Sequence, residues 1–291
     1  MNFLSSLRCL ALLASFTGSV HAAIVNLTNV TVAGNAPDTM LNVNNVSFRG
    51  GIINGALFRD PSVDGSAGSG TFRDLYRISP PNGASNVIES GYNRPGVMDT
   101  SVPNGFDPYL HMGDLIQDAS QTSYIFVIDL NESNNATDRF LSLDDLKIWV
   151  GGTTDPTTLP GTVSELTTEF GIPAFDMNAS GQQNTVLLDA TLSSGSGGGD
   201  LFVFVPKSYF PQGADPNSFV YIYTKMGSYT GAAGFGAGAT QEQISIPGKS
   251  ILGDPTSTIS TIQSGLVSVP EPGTLWGLVA ASLIALVRRR R

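Results

Sequence analysis

The chain has 291 residues, enough for one large domain or two small ones. Only 13% of its residues are charged, about half of the usual fraction of roughly 25%, while 33 glycines and 17 prolines favour frequent turns over long charged helices. Residues 24–269 contain 23 acidic and ten basic residues, a net charge of −13, which disfavours nucleic acid as a partner because phosphates require lysine and arginine.

The first 22 residues have the three parts of a secretory signal peptide. Arg8 provides the positive charge, residues 9–16 form a short apolar core, and Val20 and Ala22 are the small residues that precede a cleavage point. The apolar run is much shorter than the roughly 20 residues that a spanning helix requires. We therefore predict a signal peptide over residues 1–22, with cleavage after Ala22.

Removal of this segment would leave a body without cysteine, because Cys9 is the only cysteine in the chain. A body without disulfides depends on its hydrophobic core for stability. His111 would be its only histidine, so we expect neither a zinc site nor a Cys–His catalytic pair.

Residues 23–253 are predicted to form one β-rich extracellular domain. Strand patterns, either alternating or continuously apolar, occur at 24–32, 41–48, 123–130, 146–150, 185–190, 201–205 and 219–225. One short helix is predicted from Ser164 to Phe170, with Ser164 as its N-cap and Gly171 as its stop. Many short strands with Gly and Pro turns predict an all-β fold, either a β-sandwich or a jelly roll.

A cluster of side chains that carry oxygen follows the strand predicted at 123–130. Calcium binds hard oxygen ligands in flexible loops, and the start of segment 129–138 resembles an EF-hand loop. Its sixth position is Asn134 rather than glycine and its twelfth is Phe140 rather than glutamate, so a looser calcium site is the candidate here. The alternative is a solvated turn between two strands. The candidate ligands are Asp129, Asn131, Glu132, Asp138, Asp144 and Asp145.

Catalytic motifs are weak in this body. There is no G-x-S-x-G segment for a nucleophile, and Gln243 stands where a phosphate-binding loop before Gly248 would need glycine. The many acids leave open a carboxylate glycoside hydrolase, which needs two acids about 5–9.5 Å apart. We predict no catalytic residue.

The C-terminal segment follows a polar linker, predicted over residues 254–268, and has three parts. The first part is the four residues Val269, Pro270, Glu271 and Pro272. The second part, residues 273–287, is a short apolar segment predicted to form a transmembrane helix. The third part is the four residues Arg288, Arg289, Arg290 and Arg291, which resist translocation and stay on the cytoplasmic side.

These three parts, in this order over residues 269–291, resemble the PEP-CTERM sorting signal. The resemblance implies a Gram-negative bacterium that makes exopolysaccharide, and a membrane-embedded exosortase that recognises the Pro-Glu-Pro segment. It also implies a transient stay in the inner membrane, followed by release or transfer to the cell surface or extracellular matrix. The same tail occurs on some ice-binding proteins, but it carries no ice-binding chemistry itself.

Three functions remain open for the body. The first is a non-enzymatic surface or matrix protein of a biofilm, favoured by the delivery signals together with the weak catalytic motifs. The second is a polysaccharide-binding module, with calcium as a candidate cofactor. The third is a carboxylate glycoside hydrolase.

Overall fold

The described part of the chain contains fifteen strands, one α-helix and short 3-10 helices. This computed structural model describes residues 22–38, 41–43, 46–61, 72–80, 83–85, 87–118, 121–132, 139–192, 199–238 and 240–248. The strands are β1 (Ile24–Asn26), β2 (Leu41–Val43), β3 (Val46–Phe48), β4 (Gly50–Ile53), β5 (Ala56–Arg59), β6 (Phe72–Ile78), β7 (Glu89–Tyr92), β8 (Thr100–Ser101), β9 (Ser123–Asp129), β10 (Phe140–Val150), β11 (Phe175–Asp176), β12 (Thr185–Asp189), β13 (Leu201–Pro206), β14 (Val220–Met226) and β15 (Glu242–Pro247). The helix is α1 (Val163–Phe170).

The strands form two large sheets and one hairpin. The six-stranded sheet has the order β1-β12-β10-β14-β7, and β11 pairs with the long strand β10. In this sheet β1 runs parallel to β12, whereas the other pairs are antiparallel. The seven-stranded sheet has the order β4-β5-β13-β9-β15-β6-β8 and is antiparallel throughout. The hairpin consists of β2 and β3.

The two large sheets share one hydrophobic core. Leu146 and Ile148 of β10 and Phe126 and Ile128 of β9 are at most 1% exposed and belong to the same buried cluster. Alternate residues of a strand face the same side, so each sheet contributes every second side chain to this core. The prediction of a mostly β body with one short helix is confirmed.

Helix α1 covers the outer face of the six-stranded sheet. Its buried Leu166 belongs to a cluster with Trp149 and Tyr221, which face away from the shared core. The predicted N-cap Ser164 is wrong, because the hydroxyl of Thr162 accepts the backbone N–H of Glu165 at 3.2 Å. The predicted stop is correct, since Gly171 follows the helix with φ 78°, a conformation that favours glycine.

Two predicted strands are shorter or more divided than their patterns indicate. The strand predicted over 24–32 ends at Asn26, because the side-chain amide of Asn26 donates to the carbonyls of Val30 and Asn35 and turns the chain. The segment 41–48 forms the two strands of a hairpin rather than one strand. Short side-chain amides compete with the sheet for backbone groups, which alternation alone does not reveal.

Several predictions fall outside the described residues. These are the signal peptide up to residue 21, the linker 254–268, the sorting segment 269–291 with its apolar helix and arginines, and the candidate ligand Asp138. Among the described residues, no helix has the length and apolar character needed to cross a membrane.

Candidate functional site: a polar cavity beside the six-stranded sheet

A cavity of about 500 Å³ lies where the chain leaves β14 and enters β12. Its lining is mostly polar and comes from β1, β10, β12 and β14, from the residues just before β1 and β12, and from the segment after β14. The side chains used below are those of Asp144, Asp145, Asn178, Gln183, Lys225 and Tyr229. Ala22, the predicted signal-cleavage residue, also borders this cavity.

Two consecutive acids reach the cavity because β10 is irregular at this point. The pairing of β10 with β14 shifts register between Leu143 and Asp145, as in a β-bulge. In a regular strand Asp144 and Asp145 would face opposite sides, whereas a bulge redirects a side chain. Both acids were predicted as calcium ligands, and the structure places both on the lining of one cavity.

The carboxylate of Asp144 is held by hydrogen bonds from within the protein. Its carboxylate accepts hydrogen bonds from the hydroxyl of Ser142 at 2.7 Å, the hydroxyl of Thr185 at 3.0 Å and the backbone N–H of Ser228 at 2.7 Å. These bonds join β10 to β12 and to the segment after β14. Asp144 therefore fixes the shape of the cavity.

Asn178 and Asn184 fix the adjacent wall. The side-chain amide of Asn178 donates to the carbonyl of Asp144 at 2.7 Å and to the carboxylate of Asp145 at 3.1 Å, and its oxygen accepts the N–H of Asn184 at 2.7 Å. The side-chain oxygen of Asn184 in turn accepts the N–H of Ala23 at 2.7 Å. The start of β1 is thereby attached to the cavity wall.

Asp145 has a different environment from Asp144. Burial is the main cause that raises the pKa of Asp145, and the neighbouring carboxylate of Asp176 raises it as well. The ammonium group of Lys147, 3.4 Å from Asp145, acts in the opposite direction. A carboxyl group whose pKa is raised by burial in a cavity is a candidate for a functional role.

The remaining described members of the predicted calcium set lie elsewhere, at the end of β9. Asn131 donates its backbone N–H to the carboxylate of Glu242 at 2.8 Å, and Glu132 accepts the backbone N–H of Gly238. Asp129 lies beside the buried Asp200 and raises the pKa of that carboxyl group further, after burial as the main cause. The structure therefore divides the predicted set between the two sheets.

Three buried glutamates form a second acidic cluster that the sequence does not reveal. Burial raises the pKa of Glu89 to about 8, and the nearby carboxyl groups of Glu132 and Asp99 contribute in the same direction. Burial, Glu132 and Glu89 raise the pKa of Glu242 well above its ordinary value, against the effect of its bond from Asn131. Within the described ranges, no group of three or more His, Cys, Asp or Glu side chains has a geometry that could hold a metal ion.

Residues that could have served catalysis or sugar stacking are part of the framework. The ring of His111 packs on Phe219 at 4.5 Å, and its Nδ1 lies 3.3 Å from Asp114. Trp149 is fully buried beneath α1 and donates its indole N–H to the carbonyl of Gly171. Tyr229, which borders the polar cavity, is the aromatic side chain best placed to contact a ligand there.

The described residues form a mostly β body, and the segment at the C-terminal end of the sequence matches a known sorting motif. The family model of the PEP-CTERM protein-sorting motif matches residues 268–291. The chain carries this motif, which marks an exported protein that is processed by an exosortase and directed through the membrane to the cell surface. The chain matches no curated protein and no solved structure.

Proposed function

We propose that this protein is a non-enzymatic component of the cell surface or extracellular matrix of a Gram-negative bacterium that makes exopolysaccharide. The observation that carries the proposal is the sorting motif at residues 268–291. A body built as a β-sandwich over residues 23–253 would provide a stable, disulfide-free module for this location. After a transient stay in the inner membrane, the body would become part of the biofilm.

Deletion of residues 269–291 tests the delivery step in the native bacterium. We expect the truncated protein to be exported but absent from the cell surface, because the exosortase would have no Pro-Glu-Pro segment to recognise. The measurement is the fraction of protein on intact cells that an externally added antibody detects. The matched control deletes residues 254–266, which shortens the linker and keeps the motif. Unchanged surface display after loss of the tail would contradict the proposal.

Polysaccharide binding is the second candidate, and the polar cavity favours it. Saccharide hydroxyl groups pair with carboxylate, amide and ammonium groups, which Asp145, Gln183 and Lys225 provide around a cavity of about 500 Å³. Hydrogen bonds from Asn178 and to Asp144 hold the wall in place, so binding would require little rearrangement.

The substitution Thr230→Trp tests this second candidate, because Thr230 is exposed and borders the cavity. We expect the large indole to fill the opening and to reduce retention on the host's own exopolysaccharide at least tenfold. The matched control is Thr158→Trp, an exposed threonine that does not line the cavity. Equal retention of both variants and the wild type would exclude the cavity as the binding site.

Two further predictions stay untested. The candidate calcium ligands lie in two places: Asp145 is in the cavity, and Asp129, Asn131 and Glu132 are at the end of β9. Calorimetric titration of the purified protein with Ca²⁺ would detect binding at either place. The glycoside hydrolase alternative needs two free acids, but Asp144 already accepts three hydrogen bonds within the protein. Binding is therefore better supported than hydrolysis.

A further inference from the structure

Lys147 of β10 and Asp176 of β11 lie directly opposite each other in an antiparallel pair. The side-chain nitrogen of Lys147 is 2.5 Å from a carboxyl oxygen of Asp176, and a second acid, Asp145, lies 3.4 Å from the same nitrogen. The side chains of the three residues are only 13%, 25% and 15% exposed, respectively. One amine thus lies against two carboxyl groups with limited access for water.

The neighbouring residues hold this arrangement in place. The backbone N–H of Asn178 donates to the same carboxyl oxygen of Asp176 at 2.8 Å, while the side-chain amide of Asn178 donates to Asp145 at 3.1 Å. The carbonyl of Asp176 accepts the side-chain amide of Asn54 at 3.0 Å. On the other side of β10, Lys147 lies opposite the buried Tyr223 of β14. The amine and the carboxyl group are therefore kept in contact, which gives a high effective concentration for a reaction between them.

We infer that Lys147 and Asp176 become joined by an intramolecular amide bond. In this reaction the ammonium of Lys147 transfers a proton to Asp145, and the free amine attacks the side-chain carboxyl carbon of Asp176. A nitrogen–carbon bond forms and a carbon–oxygen bond breaks. The oxygen leaves as water with two protons, one that Asp145 returns and one that the attacking nitrogen loses. An ammonium and a carboxylate thus give an amide and water, with no oxidant, reductant or other co-reactant.

The residue types suit this chemistry. A lysine amine is a nucleophile once it loses its proton, and the nitrogen of Lys147 lies within reach of both a carboxyl carbon and a proton acceptor. A carboxyl group whose pKa is raised, as burial raises that of Asp145, is suited to accept and return a proton. The product would fasten the two-residue strand β11 to the long strand β10 in a body that has no disulfide. Asp145 acts here as a proton carrier rather than as a bonding partner.

Peptide mapping of the wild-type protein, expressed as the full chain and purified after export, tests the bond directly. A protease specific for glutamate cuts after Glu132, Glu165, Glu169 and Glu242, which places Lys147 in peptide 133–165 and Asp176 in peptide 170–242. We expect mass spectrometry of the denatured digest to show these two peptides joined, at their summed mass less one water molecule. Recovery of the two peptides only as separate species would overturn the inference, and this readout requires no variant.

Two variants distinguish the bond from an ion pair. Lys147→Arg keeps the positive charge but cannot form the amide, so the joined peptide should disappear and the Tm should fall by about 7–14 °C, as for loss of a cross-link that closes a loop of this length. Asp145→Asn keeps the shape but not the proton acceptor, and the joined fraction should fall at least tenfold. If the two peptides are still fully joined in Asp145→Asn, Asp145 is not the proton carrier. If the joined peptides persist unchanged in Lys147→Arg, the bond does not involve Lys147.

Discussion

Glu89 is fully buried at the start of β7, and neither of its carboxyl oxygens has a hydrogen-bond partner among the described residues. A carboxylate in this position would be unfavourable, because burial removes its water and Glu132 repels it. The folded protein therefore keeps the proton on Glu89 up to a pKa of about 8, whereas the unfolded chain releases it near the ordinary value of 4.5. Between these two values the folded state binds more protons than the unfolded state.

This difference determines the sign of the pH dependence. The contribution of Glu89 to stability is complete below pH 4.5 and is lost progressively as the pH rises through about 8, at up to about 1.4 kcal/mol for each pH unit. We expect Glu89→Gln to abolish this loss of stability at high pH, because the glutamine amide stays neutral and is able to donate a hydrogen bond to Glu132. The variant should unfold at a higher temperature than the wild type at pH 8.5, and the two should converge near pH 4.5.

Thermal unfolding between pH 4.5 and pH 9 measures this difference. The control is Glu169→Gln, which replaces an exposed glutamate on α1 and should follow the wild-type curve at each pH. Curves for Glu89→Gln and the wild type that run parallel over the whole range would show that Glu89 does not titrate in this window.

At the scale of the elements, the sequence predicts the strands whose side chains are apolar on both faces. The runs at β9, β13 and β14 are found nearly as predicted. Every residue of β9 is buried, and β13 and β14 are buried apart from one residue at or near the end of each strand. The strand β10 begins six residues before its predicted start at 146. Its first half contains Asp144 and Asp145, and two consecutive acids are more typical of a loop than of a strand. The strand tolerates them because their hydrogen-bond partners, such as Thr185 for Asp144, come from other parts of the chain.

Other strands have patterns too weak to predict. The sequence patterns do not indicate β4–β8, β11 and β15, which are short, polar or rich in glycine. The glycines Gly50 and Gly51 of β4 are an example, because a side chain at either position would collide with a neighbouring strand. The close approach of strands makes glycine necessary there, and this reason exists only in the assembled sheets.

The candidate site shows the same limit. Its acids Asp144 and Asp145 are visible in the sequence, but their partners Thr185 and Asn178 are more than 30 residues further along. The pairing of β10 with both β11 and β12 brings these partners together, and no local pattern encodes that pairing. The sequence therefore predicts the chemistry of the side chains and leaves their assembly to the fold.

At the scale of the whole molecule, we expect the two end segments to determine where the body is delivered. The apolar segment 273–287 would extend only about 22 Å as a helix, compared with the roughly 30 Å of a bilayer core. We expect a helix this short to be a weak permanent anchor. The prolines Pro270 and Pro272 favour an extended conformation in the residues before them, which would suit a processing enzyme. These properties suit a segment that is held briefly and then removed.

We therefore expect the mature surface protein to begin at Ala23 and to lack the four terminal arginines, 288–291. Mass spectrometry of the terminal peptides, from protein collected separately at the cell surface and in the inner membrane, measures both ends. As a control, Pro270 and Pro272 are both replaced by alanine, which keeps the apolar segment and the arginines. We expect this variant to keep its tail uncut and to accumulate in the inner membrane. If the wild-type protein instead retains residues 288–291 while it remains stably in the inner membrane, the tail is an ordinary single-span anchor. A helix of about 22 Å would then have to be accommodated by local thinning of the bilayer and by arginine side chains that extend to its surface.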